Sequence, residues 1–407
     1  MSIKLSPDLQ EFKNVLDSVG HNISANAYDR LTIPRPARGT LERRHKKSWN
    51  ELKAVVFDAQ KATSDHKHLA EQNRSLLDRM DKERDVTKIF IKNCLAAIEK
   101  MNIKPVKIPK KIKTNENQDF FALRSDAHVG EYLEAEWVQG LSHYNAKTYK
   151  DRVQRWVEKI VLFKMQDQTS LGLNKLILNH LGDQVTGEAI YRGQSFYLDL
   201  HLTDQLFYSV EVEASALLQL AQHFKEIEVF CVVGNHGRPG MKGQNHHKTN
   251  FDYIFYRSLQ MALKPQENIK IFVSESPSMI IQHGMSTFLL NHGDAAKSWA
   301  GIPFYGIDRM FRRLPGLYNM IIDYELTAHH HNPADLSDQI FMNGCLPGGS
   351  ELSINKMILT SRASQKIFYF DKENGVHRKT DLYLSPKIQL TADENGIYTP
   401  YKRSENG

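Results

Sequence analysis

The chain has 407 residues, of which 41% are hydrophobic and 25% are charged, a composition typical of a globular protein with two or three domains. It has no apolar run near the roughly 20 residues that span a bilayer, and its first residues lack an apolar signal-peptide core. We therefore expect a cytoplasmic protein with no membrane partner. The three cysteines, Cys94, Cys231 and Cys345, are far apart and form no CxxC pair, which argues against a thiolate metal site.

The net charge of +6 is concentrated at the front of the chain. Residues 1–116 contain 24 Lys and Arg against 15 Asp and Glu, whereas the remaining residues contain 29 against 32. A basic segment joined to a near-neutral body favours a polyanionic partner, most often nucleic acid. A solvated helical arm explains the same charge equally well, so composition leaves both interpretations open.

Residues 1–60 are predicted to be mostly helical. The run SPDLQEFKNVLDSVG has apolar residues at helical spacing, IPRPARG interrupts the pattern, and TLERRHKKSWNELKAVVFDAQ resumes it with Thr40 as the expected N-cap. Residues 61–116 are predicted to form a charged helical arm followed by a basic linker that contains two prolines and a lysine run. We expect any self-association to use this N-terminal helical region.

From residue 117 the chain alternates β-rich runs with helix-length segments, which indicates an α/β fold. The later strands follow one another closely, so part of the sheet is expected to be antiparallel. We predict strands at nine runs: FFALRS, KLILNHLG, EVFCVVG, KIFVSE, SMIIQHG, STFLLNHG, MIIDYEL, QIFMNG and KIFYFD.

Five of these runs end in oxygen or nitrogen donors. A single Asp or His after a strand is usually a cap or turn residue, but five in succession are difficult to explain by chance, because ligands bind at strand ends in α/β folds. The donors suit two divalent cations, Mn first and Zn, Fe or Mg as alternatives, and two such ions can clamp a phosphate and activate a water. The donors are Asp126 and His128, Asp183, Asn235 and His236, His292, and His329 to His331.

The order DxH, GDxxxG, GNH, HGD and HxH resembles the calcineurin-like metallophosphoesterases, over roughly Phe120 to Asp371. The resemblance implies a four-layer αββα double β-sandwich at residues 117–407, with two bound metal ions. It implies that Asp183 bridges both ions and that His236 contacts the scissile phosphate or protonates the leaving group. By the same resemblance, the first metal is bound by Asp126, His128 and His331, and the second by Asn235, His292 and His329.

The middle histidine of the triplet, His330, is not expected to be a ligand, because alternate residues of an extended turn face opposite ways. Ala328 stands where the family usually has Gly. The run GDQVTGE lacks the Arg that protein Ser/Thr phosphatases carry, which argues against a protein phosphatase. NGCLPGGSE resembles the segment that follows the last motif in DNA repair exonucleases of this family.

The basic front has its own resemblance. The stretch ISANAYDRLTIPRPARGTLERRHKKSWNELKAV is similar to a helix-turn-helix module repeated beside homing endonuclease domains. This implies a DNA-binding module at residues 1–60, and its cations are of the type that contacts phosphates. A solvated basic helix anchored by Trp49 remains the alternative. The predicted phosphate contacts are Arg43, Arg44, Lys46 and Lys47.

Two further stretches are candidate substrate contacts. HGRPGMKGQNHHKTN follows the GNH motif and contributes Arg238, with His246 and His247 as loop or substrate contacts. KSWAGIPFYGIDRMFRRLPG mixes aromatic and basic residues, which fits base stacking or an amphipathic helix packed on a core. The sequence thus favours a two-metal DNA phosphodiesterase, a nuclease and more specifically an exonuclease. A phosphoesterase of small nucleotides and a DNA-binding protein with an inactive body are the alternatives.

Overall fold

The computed structural model describes most of the chain between Gln118 and Ser350 and shorter stretches on either side. The described residues are 5–19, 24–29, 35–55, 71, 74–75, 88–90, 92–98, 100–101, 103–110, 118–138, 140–240, 242, 244–297, 303–350, 354 and 361–386. They form two compact units, Met1–Lys92 and Asn93–Gly407. The domain limits predicted near residues 60 and 116 lie outside the described residues, as does most of the predicted arm.

The N-terminal unit contains short helices packed on an aromatic centre. Its described helices are α1 (Pro7–Val19), α2 (Ala25–Asp29), α3 (Arg38–His45) and α4 (49–55). The rings of Phe12, Tyr28 and Trp49 meet with centroids 4.6 to 5.5 Å apart. The aliphatic side chains that complete this core are Leu9, Val15, Leu16, Leu41 and Leu52.

The expectation of one helix capped by Thr40 is wrong. Helix α3 begins two residues earlier, at Arg38, and ends where Lys46 adopts a left-handed φ of 49°. Ser48 then caps helix α4, and its backbone N–H and hydroxyl both donate to Glu51. The SWNE run is thus a helix start of the capping-box type, in which an acidic residue three positions after the cap accepts its N–H.

The larger unit contains two sheets. The first has the order β11-β10-β1-β2-β3-β4, in which β1 to β4 are parallel and β10 and β11 are antiparallel to their neighbours. Its strands are β1 (Asp119–Arg124), β2 (Lys175–His180), β3 (Glu226–Cys231), β4 (Ile269–Val273), β10 (Ser364–Asp371) and β11 (Gly375–Tyr383).

The second sheet has the order β5-β6-β7-β9-β8, with β6, β7 and β9 parallel and both edges antiparallel. Its strands are β5 (Ser278–His283), β6 (Ser286–Asn291), β7 (Tyr324–Thr327), β8 (Ala334–Leu336) and β9 (Ile340–Met342). All nine predicted strands are present. The two that were not predicted, β8 and β11, are edge strands.

The sheets face each other across one apolar core, to which Phe121 and Phe368 of the first sheet and Phe288 and Phe341 of the second contribute. Helices α5 (Ala146–Leu171), α6 (Leu202–Ala221) and α7 (Phe251–Ala262) cover the outer face of the first sheet. Helices α8 (Phe304–Phe311) and α9 (Leu314–Tyr318) cover the second. The predicted four-layer αββα sandwich is therefore confirmed. Among the described residues, no helix is both long and apolar enough to cross a membrane.

Candidate metal centre

The predicted donors lie on loops that follow parallel strands. Asp126 and His128 follow β1, Asp183 follows β2, and Asn235 and His236 follow β3. In the second sheet, His292 follows β6 and the histidine triplet follows β7, and these two strands are also parallel. Because the carboxyl ends of parallel strands lie at the same edge, each sheet brings its own loops together there. Residues far apart in sequence thereby meet.

Three groups of donors are close enough to hold a metal ion. Asp126, His128 and His331 form one group, and Asp183, His292 and His329 form another. The third group, His128, Asp183 and His236, shares one residue with each of them. In the first group, His331 Nε2 lies 3.0 Å from His128 Nε2 and 3.3 Å from Asp126 Oδ1. In the second, His329 Nδ1 lies 3.2 Å from His292 Nε2.

Several of these contacts join two acceptors unless a proton or a metal cation lies between them. The Nδ1 of His292 lies 2.7 Å from the Leu181 carbonyl and donates to it, so Nε2 is the nitrogen left to face the site. This Nε2 lies 3.0 Å from Asp183 Oδ2 and 3.1 Å from Asn235 Oδ1, a position that either a proton or a metal cation can bridge. Oδ1 of Asp126 and Oδ2 of Asp183 are buried and have no hydrogen-bond partner within the described part of the chain. Carboxylate, amide and imidazole donors in this arrangement fit divalent cations.

Burial lowers the pKa of each of these histidines, and nearby carboxylates reverse the shift for His292. Burial holds the pKa of His128 well below its usual value and lowers the pKa of His329 to about 4, so both are neutral, as metal ligands must be. Burial also disfavours charge on His292, but the Asp183 carboxylate outweighs it and raises its pKa to about 10. Burial acts against the charge of Asp126, yet His331 lowers its pKa to about 2. The carboxylates therefore create a site that attracts positive charge.

The backbone is strained at these same positions. Eight described non-glycine residues have positive φ, and five of them are candidate ligands. A left-handed non-glycine residue costs roughly 1–2 kcal/mol, and such strain concentrates at functional sites. The five are Asp126, His128, Asp183, His329 and His331, with φ between 45° and 70°.

Glycine allows the second and third loops to approach closely. Gly182, with φ at 93°, lies so near Gly234 that a Cβ would overlap the Gly234 backbone. A Cβ on Gly234 would in turn overlap Oδ1 of Asp183. The glycines of GD and GN are thus needed for contact between the loops that carry Asp183 and Asn235.

The alternation of side chains in an extended turn, expected to exclude His330 from the ligands, is wrong because the triplet is not extended. His329 and His331 are left-handed, and the His330 N–H donates to the Ala328 carbonyl at 2.8 Å, which closes a three-residue turn. His330 belongs to none of the three donor groups, and its Nε2 is buried without a hydrogen-bond partner among the described residues. The tight turn, not strand alternation, separates the middle histidine from its neighbours.

His236 is oriented by two hydrogen bonds. Its backbone N–H donates to Asp183 Oδ1 at 2.7 Å, and its Nδ1 lies 3.0 Å from the Thr186 carbonyl. Because a carbonyl accepts only from N–H, Nδ1 carries a proton and Nε2 is left for another partner. The ring stacks edge-on against His128, with centroids 4.6 Å apart.

Sequence reasoning missed Asp252, a buried residue at the start of α7. Its Oδ2 accepts from the backbone N–H groups of Asp183 at 2.8 Å and Gly234 at 2.9 Å, and its Oδ1 accepts from Gln184 at 3.0 Å. Burial, and then the charge of Asp183, raises the pKa of Asp252 to about 6. The only signal in the sequence was the NFD run, which looks like an ordinary helix N-terminus; Asn250 does cap α7.

The predicted substrate contact Arg238 is half-buried. Its guanidinium donates to the carbonyls of Asn235 and Ile190, and its Nε is buried without a hydrogen-bond partner in the ranges described. It therefore holds the loop around Ile190 against the GNH motif. In the segment after β6, Ile307 and Phe311 are buried in the second sheet's outer core whereas Tyr305 is exposed. Trp299 lies outside the described residues.

The predicted phosphate contacts of the N-terminal unit are exposed on and after α3. Arg43 Nε donates to the Gly39 carbonyl at 2.9 Å, and Arg44 lies 2.9 Å from Asp8 with its side chain 63% exposed. Lys46 and Lys47 are exposed. These cations are accessible to a polyanion.

No family model matches the chain, and no curated protein matches it. The solved structures similar to it include three with TM-scores of 0.24 to 0.28. A conserved protein from Streptococcus pneumoniae, described as a predicted phosphoesterase, is 10% identical, with a TM-score of 0.24 over 65% of this chain and 98% of its own. Vps29 from Chaetomium thermophilum is 9% identical, with a TM-score of 0.25 over 65% and 99%.

The third is a 5'-nucleotidase from Candida albicans, 10% identical, with a TM-score of 0.28 over 69% of this chain and 54% of its own. Scores this low carry no argument about activity, substrate or partner. The two sheets and their helices define the fold, and the donor groups at the sheet edges define the candidate metal centre.

Proposed function

We propose that this chain is a two-metal-dependent phosphodiesterase that hydrolyses DNA. The observation that carries the proposal is the convergence of seven oxygen and nitrogen donors, five of them on left-handed backbone, with carboxylate oxygens and imidazole nitrogens facing one another. A body that had lost its activity would have no reason to retain both the donors and their strained backbone. The complete set therefore counts against an inactive body.

The donor groups divide between two cations. Asp126, His128 and His331 would hold one, and Asn235, His292 and His329 the other, with the Asp183 carboxylate near both. When bound, such cations polarise a phosphoryl group and lower the pKa of a water.

His236 provides the proton chemistry of the chain itself. The Thr186 carbonyl holds its Nδ1–H, and the bond to Asp183 Oδ1 fixes its main chain beside the site. Protonated on Nε2, the ring donates to a non-bridging oxygen of the phosphate or to the departing oxygen. Because the ring is oriented before substrate arrives, little reorganisation is required in the transition state.

DNA is proposed as the substrate because of the N-terminal unit. Its exposed Arg43, Arg44, Lys46 and Lys47 surround one helix end, as a phosphate-binding surface requires. The helix-turn-helix resemblance agrees with this but stays a prediction. A phosphoesterase of small nucleotides would not need such a surface.

The direct test is incubation of the full chain with end-labelled single- and double-stranded DNA and Mn, with and without chelator. We expect metal-dependent cleavage that chelator abolishes and added Mn restores. Hydrolysis of bis-(p-nitrophenyl) phosphate without cleavage of either DNA would overturn the DNA assignment and favour small nucleotides. Absence of both activities with several metals would overturn the enzyme assignment.

The salt dependence of DNA binding tests whether the N-terminal unit contacts phosphates. Each phosphate contact contributes about 0.9 to the slope of log K against log salt, so an Arg43→Ala, Arg44→Ala double variant should flatten the slope for duplex DNA by about 2 units. Hydrolysis of bis-(p-nitrophenyl) phosphate should be unchanged. As a matched control, Lys147→Ala with Lys150→Ala removes two exposed cations of α5 and should leave the slope as it is. Equal slopes in all three proteins would show that Arg43 and Arg44 do not contact DNA.

A further inference from the structure

The segment that joins the Asp183 loop to α6, residues 186–199, lies along the rim of the metal centre, and we refer to it as the rim loop. The Thr186 carbonyl contacts Nδ1 of His236 at 3.0 Å. At the other end, the Asp199 N–H donates to the Gly130 carbonyl at 3.1 Å, and Leu198 forms a bridge with Glu131. The rim loop therefore lies against both His236 and the loop that carries Asp126 and His128.

Buried side chains hold the rim loop in one conformation. Gln194 is 2% exposed; its Oε1 accepts from the Ile190 N–H at 2.8 Å and its Nε2 donates to the Thr186 carbonyl at 2.7 Å. Gln205 of α6 accepts from the Gly187 N–H at 3.0 Å, and Arg238 donates to the Ile190 carbonyl at 3.2 Å. A loop anchored at four points presents its outer side chains in a defined direction.

The most exposed large apolar side chain among those described is on this loop. Phe196 belongs to the short 3-10 helix Gln194–Tyr197 and is 82% exposed. Tyr191 and Arg192 of the same loop are also exposed. Burial of a phenylalanine side chain normally stabilises a protein substantially. A rigid loop that keeps a phenylalanine exposed to solvent beside a candidate metal centre therefore points to a ligand with a flat apolar face.

We propose that Phe196 is the stacking surface for a nucleobase next to the phosphodiester bound at the metal centre. The inference rests on the DNA phosphodiesterase function proposed above and narrows its substrate. A base inside a duplex has both faces covered by its neighbours, so only an unpaired base or a strand end offers a face to Phe196. Arg192 supplies a cation for the adjoining phosphate, and stacking on an aromatic ring tolerates any base. The preferred substrate is therefore single-stranded or frayed DNA.

The test couples a protein variant to a substrate variant. A labelled single-stranded oligonucleotide is prepared with one abasic position, moved stepwise along the strand, and KM is measured for cleavage by the full chain with Mn. At one position near the cleaved bond, the missing base should raise KM roughly 5- to 150-fold, the range for loss of one base–aromatic stack. Phe196→Ala should raise KM for the intact oligonucleotide by a similar factor, and the abasic position should then have no further effect.

Two control variants test whether the change in KM comes from the aromatic ring of Phe196. Phe196→Trp keeps an aromatic face and should stay within about threefold of the unmodified protein. Met285→Ala removes a side chain of similar exposure, 79%, from the β5–β6 turn at the far end of β6, and should have no effect on KM. Independent effects of Phe196→Ala and the abasic position would overturn the stacking role. An effect of Phe196→Ala on the sedimentation mass, with KM unchanged, would also overturn the stacking role, because it would show that Phe196 contacts another protein chain. If the unmodified protein cleaves no DNA at all, the proposed function fails first, and the two failures are thereby distinguished.

Discussion

Replacement of Asp252 by Asn tests whether this buried carboxylate holds the metal-binding loops in place. One of its oxygens becomes an NH2 group, which then faces a backbone N–H: either Gln184 at 3.0 Å, or both Asp183 and Gly234 at 2.8 and 2.9 Å. One buried donor left unsatisfied costs about 1–3 kcal/mol, and the remaining hydrogen bonds lose about 1 kcal/mol each without the charge. The lost interactions therefore amount to roughly 3–5 kcal/mol.

The same substitution relieves an electrostatic penalty when no metal is bound. Burial and the nearby Asp183 charge raise the pKa of Asp252 to about 6, roughly two units above its usual value. A raised carboxyl pKa means that ionisation destabilises the folded state above that pH, here by about 3 kcal/mol at neutral pH. In the metal-free protein the relief offsets most of the loss, so Asp252→Asn should lower the free energy of unfolding by only about 0–2 kcal/mol.

Bound cations cancel the repulsion from Asp183 but not the burial penalty, which is the larger cause of the raised pKa, so the variant loses more in the metal-bound state by part of that 3 kcal/mol. A difference of about 1–3 kcal/mol predicts Mn affinity roughly 5- to 100-fold weaker, within what residues supporting metal ligands contribute. Urea unfolding in chelator and calorimetric Mn titration measure the two quantities. Asp308→Asn, which breaks an exposed pair with Arg312, is the matched control and should change neither by more than about 1 kcal/mol. Unchanged Mn affinity in Asp252→Asn would refute the reasoning.

Five other substitutions, grouped in three predictions, test the centre and its surroundings. Asp183→Asn removes the carboxylate common to two donor groups, so elemental analysis should find both metals lost from a folded protein; two metals per chain would contradict the assignment. His330→Ala should keep most phosphodiesterase activity, whereas His329→Ala and His331→Ala should each lose nearly all of it; equal losses would show that the tight turn does not separate them. Burial lowers the pKa of His180 to about 4, so the folded state favours its neutral form, and this contribution is complete above pH 6.5 and lost as the pH falls to 4. His180→Leu should therefore remove about 3 kcal/mol of acid sensitivity from urea unfolding between those pH values, and a slope like that of the unmodified protein would refute this.

The α/β character and nine of the strands were predictable because the strands are apolar runs bounded by polar ends, whereas the four-layer sandwich was implied by the family resemblance. Strand β8 escaped prediction because three residues are too few to form a pattern, and β11 because GVHRKTDLY is rich in polar residues that an edge strand can expose to solvent. The N-terminal helix boundary was misplaced because Thr40 is a good capping residue in composition alone. The stronger signal, Ser48 followed by Glu51, lay inside what looked like a continuous helix.

The candidate ligands could be found from sequence because chemistry restricts which side chains stand at strand ends. Their supports could not, because a support is defined by its contacts and not by its type. Asp252 looks like a helix-start residue, and only the fold brings it to the backbone of Asp183 and Gly234. Arg238 looks like a substrate contact, yet its donors serve two carbonyls of its own chain.

The left-handed residues explain why ligands and supports are needed together. Five left-handed non-glycine residues cost on the order of 5–10 kcal/mol, which is comparable to the whole stability of an ordinary domain. Strain of that size persists only if surrounding contacts over-determine it. Here the contacts are the buried Asp252 carboxylate, the close approach of Gly182 to Gly234, and the Leu181 carbonyl that fixes His292. The donors can thus be aligned before a metal arrives, and the sandwich supplies the free energy that keeps them so.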